Sequence, residues 1–277
     1  MPRRYEDTIV VRAAKGWQGL NLPDLWCYRE LLYFLVWRDI KVRYKQTAIG
    51  AMWAILQPFM TMVVFSIFFG RMAKMPSEGI PYPIFSYAGL LIWIYFSSAV
   101  TGSGASLVGS ANLITKVYFP RLIIPLASAI RCILDYLVAL SVLVAMMWFY
   151  GFSLKFSFIL LPFLVLLAFI SAAGMGLWFS ALNVKYRDIG HAAPFFIQLL
   201  LFATPVIYPA SMIPERFRIF LALNPISGII DAHRACILGY KDIDVSALSV
   251  SILVSSLIFI SGLFYFRKTE HFFADVI

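Results

Sequence analysis

Charge is what this chain has least of. Only 13% of its 277 residues are Asp, Glu, Lys or Arg, about half the share in an ordinary soluble domain. With 61% of residues hydrophobic and a mean hydropathy of +0.84, a water-covered globule is excluded. Histidine and cysteine are scarce too, at three each. His191, His233 and His271 are scattered, and Cys27, Cys132 and Cys236 fall on or near different segments, so neither a metal site nor a disulfide framework follows. H-E-x-x-H and G-x-S-x-G are missing. Gly104 and Gly109 have phosphate-loop spacing, but Ser110 and Ala111 follow instead of Lys and Ser/Thr. No catalytic constellation remains, and the chain is not expected to be an enzyme.

What is present is long uncharged sequence. Six runs are free of Asp, Glu, Lys and Arg: 46–70, 79–115, 136–154, 156–184, 189–214 and 245–266. A bilayer core about 30 Å thick takes roughly 20 apolar helical residues to cross, so each run is long enough. Unpaired backbone in hydrocarbon is costly, and no alternating barrel pattern occurs, so the spans are expected to be helices. The expected fold class is an all-α integral membrane protein with six transmembrane helices, an amphipathic interface helix near its N-terminus and short re-entrant helices between spans five and six.

The boundaries expected from this reading are a cytoplasmic N-terminus over 1–50, with the interface helix at 24–45, and one membrane domain over 51–277. Its spans fall at 51–69, 84–106, 122–150, 156–182, 192–208 and 245–266. A cytoplasmic loop occupies 109–121, and an outer segment occupies 209–244. Met1 to Gln18 has no apolar core of a cleavable signal, so the start is expected to stay in the cytoplasm. Six crossings return the C-terminus to that side. Of 23 Lys and Arg, 15 fall in segments assigned inside and seven outside, with Arg131 in the third span, which supports both termini inside. The basic excess, a formal +9, clusters at span ends and suits anionic lipid rather than nucleic acid.

The interruptions differ in character. Between Asp24 and Lys45, the apolar centre Leu31–Trp37 is too short to cross, and its flanking Trp, Tyr, Lys and Arg suit the headgroup plane. Pro58 is expected to kink the first span. The run Thr101-Gly-Ser-Gly-Ala-Ser106 reads as close helix packing. Arg131 and Asp135, four residues apart on one face of the third span, read as an intramembrane charge pair, structural rather than a proton or substrate site. Asp135 alone is too few carboxylates for ion-gradient transport, so any transport must draw energy from a partner, most simply through the cytoplasmic loops. Pro209, Pro214, Pro225 and Gly228 break the outer segment into two short helices, 215–223 and 226–238.

These strings in this order resemble the membrane subunits of type-2 ABC exporters that move lipid-linked polysaccharides such as O-antigen and teichoic acid. They are Arg38-Asp-Ile-Lys-Val-Arg-Tyr-Lys45 with Gly50 and Trp53, Thr115-Lys-Val-Tyr-Phe-Pro-Arg-Leu-Ile-Ile-Pro125, Lys185-Tyr-Arg-Asp188, Pro205-Val-Ile-Tyr-Pro209, and Asn224-Pro225 with Arg234. The resemblance covers nearly the whole chain. It implies a homodimer in the bacterial cytoplasmic membrane, with two copies of a separate subunit that binds ATP and Mg and no cofactor in this chain. It further implies a coupling helix in the loop that includes Asn112, Thr115, Lys116, Tyr118, Phe119, Pro120 and Arg121, seated in a groove of the ATPase. Tyr186, Arg187 and Asp188 would be a second contact. By the same likeness the first and fifth spans line a channel, where Phe59, Phe202 and Tyr208 are candidates for stacking on sugar rings. Rival readings are a related permease for a small hydrophobic drug or lipid, and a membrane glycosyl- or acyltransferase, which would need clustered acidic or histidine residues.

Overall fold

The computed structural model describes residues 26–45, 50, 52–153 and 155–273. Residues 1–25, with Pro23 and Asp24, and 46–49 of the predicted cytoplasmic start lie outside them. The described residues form helices and turns, with no strand among them. In chain order the helices are α1 (Arg29–Lys45), α2 (Met52–Phe65), α3 (Tyr82–Gly109), α4 (Ala111–Lys116), α5 (Ile123–Phe149), α6 (Leu161–Lys185), α7 (Ile189–Phe202), α8 (Glu215–Ala222), α9 (Ser227–Leu238) and α10 (Val245–Thr269). A widened π-helical turn, Ser66–Met72, extends α2, and a 3-10 turn, Phe156–Leu160, leads into α6.

Five of these units are long and apolar enough to cross a bilayer: 52–72, 82–109, 123–149, 156–185 and 245–269. The fifth charge-free run behaves differently. Its helix, α7, has 14 residues, about 21 Å of rise, and ends before Thr204-Pro205, where proline removes a backbone donor. The chain continues through turns to Tyr208.

The central helix is α3. It starts with Pro83 in its first turn, a position where the missing N–H costs nothing. It packs against α2, α5, α6, α7 and α9. The small run 101–106 permits this closeness. Ser103 Oγ donates to the Pro125 carbonyl at 2.8 Å, and a Cβ on Gly176 of α6 would sit 2.5 Å from that of Ser103. On the far side of α6, a Cβ on Gly174 would lie 2.7 Å from the Phe259 backbone of α10. Small side chains, rather than apolar bulk, bring helices into contact where the solvent is itself hydrocarbon.

Two apolar clusters organise the bundle. The larger joins α3, α5, α6 and α9 around Phe85, Tyr87, Phe96, Leu143, Leu164 and Ile230. The second lies at the opposite end and joins Leu35 of α1, Ile114, Phe119, Leu122, Leu177, Leu263, Phe266 and Phe273. The centre of α1 is apolar on all sides. Leu35 enters this cluster while Tyr33, Phe34 and Trp37 stay exposed, so α1 is not divided into one apolar and one polar face as expected for an amphipathic helix.

Candidate functional site

The end of the bundle that carries the second cluster presents two loops. Asn183 Nδ2 donates to the Gly104 carbonyl at 3.0 Å, so the C-terminal ends of α3 and α6 emerge side by side. Ser110 to Leu122 follows the first and Tyr186 to Asp188 the second. Both are rooted in one apolar cluster, through Ile114 and Phe119 on one side and Val184 on the other.

Within the first loop, α4 turns Asn112, Thr115 and Lys116 outward, and Tyr118 beyond it is 74% exposed. Phe119 takes the opposite course, at 4% exposed. It therefore anchors the loop from within instead of adding to its exposed face. Pro120 sits half-buried beside it. Arg121 is half-buried and bonded within the chain. Its backbone N–H donates to Glu270 Oε1 at 3.2 Å, and its guanidinium donates to the Glu270 carbonyl. Arg267 Nη1 lies 3.0 Å from the other oxygen, Oε2. The turn after α10 thus clamps the loop, a contact between residues 149 apart that no local spacing announces. In the second loop Lys185, Tyr186, Arg187 and Asp188 are all exposed, with the Lys185 ammonium 5.1 Å from the Tyr186 ring centre.

The charge pair in α5 has a different partner from the one expected. Asp135 Oδ2 lies 3.0 Å from Arg43 Nη1, and Tyr44 donates its phenol proton to Oδ1. Both partners come from α1. Burial, and then the bond to Asp135, hold the Tyr44 phenol above its usual pKa. Arg131 does not join this pair. Its Nη2 lies where a Cβ on Gly102 would be 3.3 Å away, and its Nε has no hydrogen-bond partner among the described residues. The carboxylate therefore ties α1 to the bundle.

At the other end sits a residue that charge counting placed in an outer loop. Arg234 of α9 is fully buried. Its Nε donates to the Phe85 carbonyl at 3.1 Å and Nη1 to the Pro205 carbonyl at 2.5 Å, while Nη2 donates to Val206. The guanidinium carbon lies 3.9 Å from the Phe85 ring centre. Main-chain carbonyls and a ring face replace the counter-ion that a buried cation ordinarily needs. The start of α3, the turn after α7 and α9 are thereby pinned together. Any side chain at Gly89 would collide with this guanidinium. Next to it, His233 Nδ1 is 3.0 Å from the Ala88 carbonyl, which can only accept, so Nδ1 carries the proton. Nε2 then accepts from Tyr136, 2.8 Å away.

The aromatic channel candidates lie apart. Phe59, on α2, and Phe202, at the end of α7, are exposed in one copy of the chain. Tyr208 is half-buried and donates to the Phe202 carbonyl at 3.0 Å, so these two share a turn.

A bundle of apolar helices, five of them long enough to cross a bilayer, with two loops rooted in a shared apolar cluster at one end, defines a multi-pass membrane protein. The sequence profile of the ABC-2 type transporter family matches residues 30–238, and the chain belongs to that family. It is a transporter's membrane subunit and not the ATPase. The O-antigen export system permease protein RfbA of Myxococcus xanthus is 29% identical over 92% of this chain and 98% of its own length. RfbA of Klebsiella pneumoniae is 29% identical over 90% and 95%. The polysialic acid transport protein KpsM of Escherichia coli is 25% identical over 84% and 91%.

Proposed function

We propose that this chain forms the membrane path of an ATP-driven exporter for a lipid-linked polysaccharide of the O-antigen type, in the bacterial cytoplasmic membrane. It would act as a homodimer with two copies of a separate ATP-binding subunit, which holds ATP and Mg. The cargo rests on the relatives: two are O-antigen export permeases and one a polysialic acid transport protein by name, each matched over nearly its whole length.

The observation that carries the coupling is the exposed face of Asn112, Thr115, Lys116 and Tyr118 beside Tyr186, Arg187 and Asp188, rooted in one apolar cluster. A push on either loop is delivered to α3 and α6 together. Lys116 and Tyr118 make the first contact with the ATPase, and the Tyr186 loop makes the second.

We count six crossings. Along α3, the Gly104 carbonyl is held by Asn183 at one end and the Phe85 carbonyl by Arg234 at the other. Nineteen residues of helix separate them, about 28 Å. The stretch from Ile189 to Val206 covers the same height, finishing in turns that Arg234 holds. Helix α7 and its extension therefore serve as the fifth span, α8 and α9 form a re-entrant outer segment, and both termini lie in the cytoplasm. Phe59, Phe202 and Tyr208 face a channel at the dimer axis.

A rival cargo, a small hydrophobic drug or lipid, is favoured by one feature, a lateral apolar crevice between α5 and α6. The part of α5 lining it, Ile130–Leu140, rises about 15 Å, half of a bilayer core of about 30 Å. That is not a passage. Cells lacking this chain test the cargo. Surface polysaccharide should vanish while its lipid-linked form accumulates inside, and undiminished surface polymer would reject the reading.

A further inference from the structure

The crevice between α5 and α6 has about 630 Å³ of free volume, within the roughly 300–1,000 Å³ of small-molecule sites. Ile133, Leu137 and Leu140 form one wall, Val165, Leu166 and Phe169 the other, and buried Tyr136 and Leu161 close the floor. Tyr136 supplies the single side-chain polar group of this lining, and its hydroxyl already bonds His233 from within the bundle. A sugar or charged group would therefore lose its water and gain no hydrogen bond. Apolar cavities also stay dry. Hydrocarbon is the chemistry that fits.

Its position selects which hydrocarbon. Trp148, Phe149 and Phe156, each more than 80% exposed, cluster at one end and mark the headgroup level there. From Phe158 just beneath them the lining runs to Phe169 on α6, so the crevice has the length of one leaflet. Three residues before Phe158, exposed Lys155 spends one of its three N–H donors on the Gly239 carbonyl, leaving two for a phosphate.

We propose that this crevice is a resident phospholipid site. One acyl chain lies between α5 and α6, and the headgroup phosphate sits at Lys155. In the topology above the lipid belongs to the outer leaflet. A polyprenyl tail is longer than the crevice and does not fit it whole.

The complex of this chain with its ATP-binding subunit is reconstituted in vesicles of phosphatidylethanolamine and phosphatidylglycerol, carrying a trace of phosphatidylglycerol with a mid-chain diazirine. After irradiation, labelled peptides are mapped. Residues 130–140 and 158–169 should carry about tenfold more label than the exposed face of α10 at Leu253 and Leu257, a ratio matching a modest binding preference. Val165→Trp, which fills the crevice, should abolish the excess. Even labelling of both faces would overturn the site, as would an excess that survives Val165→Trp in folded protein. Displacement of the label by polyprenyl phosphate would overturn the phospholipid assignment. If Val165→Trp does not fold, the wild-type map still decides. Only the name of the leaflet rests on the proposed topology, and even labelling would leave that topology and the exporter reading standing.

Discussion

Two buried or half-buried charges carry much of the specificity of this bundle, and both are exposed to test. Arg234 serves three carbonyls from separate segments, so Arg234→Met strands acceptors that cannot reach water. The loss should be on the order of 3 kcal/mol, because each orphaned buried group costs about 1–3 kcal/mol. A thermal unfolding scan in detergent should show a clearly lowered midpoint, and an unchanged midpoint would contradict the geometry. The partner of Asp135 is separable by a double-mutant cycle. Arg43→Leu with Asp135→Asn should couple by about 1 kcal/mol, and Arg131→Leu with Asp135→Asn by less than about 0.5 kcal/mol, the spread expected between contacting and independent sites. These are also the residues at which the sequence misleads. A spacing of four makes Arg131 and Asp135 look paired because only same-helix neighbours are visible in a string. The hydroxyl that reaches Asp135 comes from Tyr44, 91 residues away. Arg234 looks like an ordinary loop cation because its burial depends on Phe85, Pro205 and Val206 arriving from elsewhere.

Among elements, those whose ends are built from local chemistry were the most legible. Asp244 precedes α10, and its carboxylate accepts from the backbone N–H groups of Ser246 at 3.0 Å and Ala247 at 3.1 Å. Those bonds, with the Ser246 side chain first, hold its pKa below the ordinary carboxylate value. A depressed carboxylate stabilises above its unfolded pKa and loses that contribution as the pH falls through its folded one. Asp244→Ala should therefore cost about 1 kcal/mol near neutrality, as N-cap losses do. Unfolding scans of wild type and variant should converge in acid, below the normal carboxylate range. A difference that persists there would assign the loss to something else. The loop after α3 is the opposite case. Asn112 to Arg121 shows in sequence as charged and aromatic, but which side chains face out depends on the turn after α10. Glu270→Ala should loosen the loop, since it removes the acceptor for the Arg121 N–H and keeps only the bond to the Glu270 carbonyl, while leaving the spans in place. Partner-stimulated ATP hydrolysis should fall several-fold, corresponding to about 1–2 kcal/mol of lost anchoring, and Glu270→Gln, which keeps the acceptor for the Arg121 N–H, should recover part of it. Equal loss in both variants would assign the effect to charge alone.

At the scale of the whole molecule, the scarcity of charge established the all-α membrane class before any contact was known, because the bilayer leaves so few ways to satisfy a backbone. What composition could not supply is the asymmetry of the bundle. One end is a platform of loops on a shared apolar cluster, and the other is a segment stapled by a buried guanidinium. On the proposed exporter reading, the platform would receive movement from the ATP-binding subunit and α3 and α6 would carry it through the membrane. Crosslinking to the ATP-binding subunit in native membranes tests this most directly. Cysteine is placed either at Tyr118, on the platform, or at Trp148, at the opposite end and 88% exposed. The account predicts that Tyr118→Cys crosslinks to that subunit and Trp148→Cys does not. A crosslink from Trp148→Cys alone would contradict it.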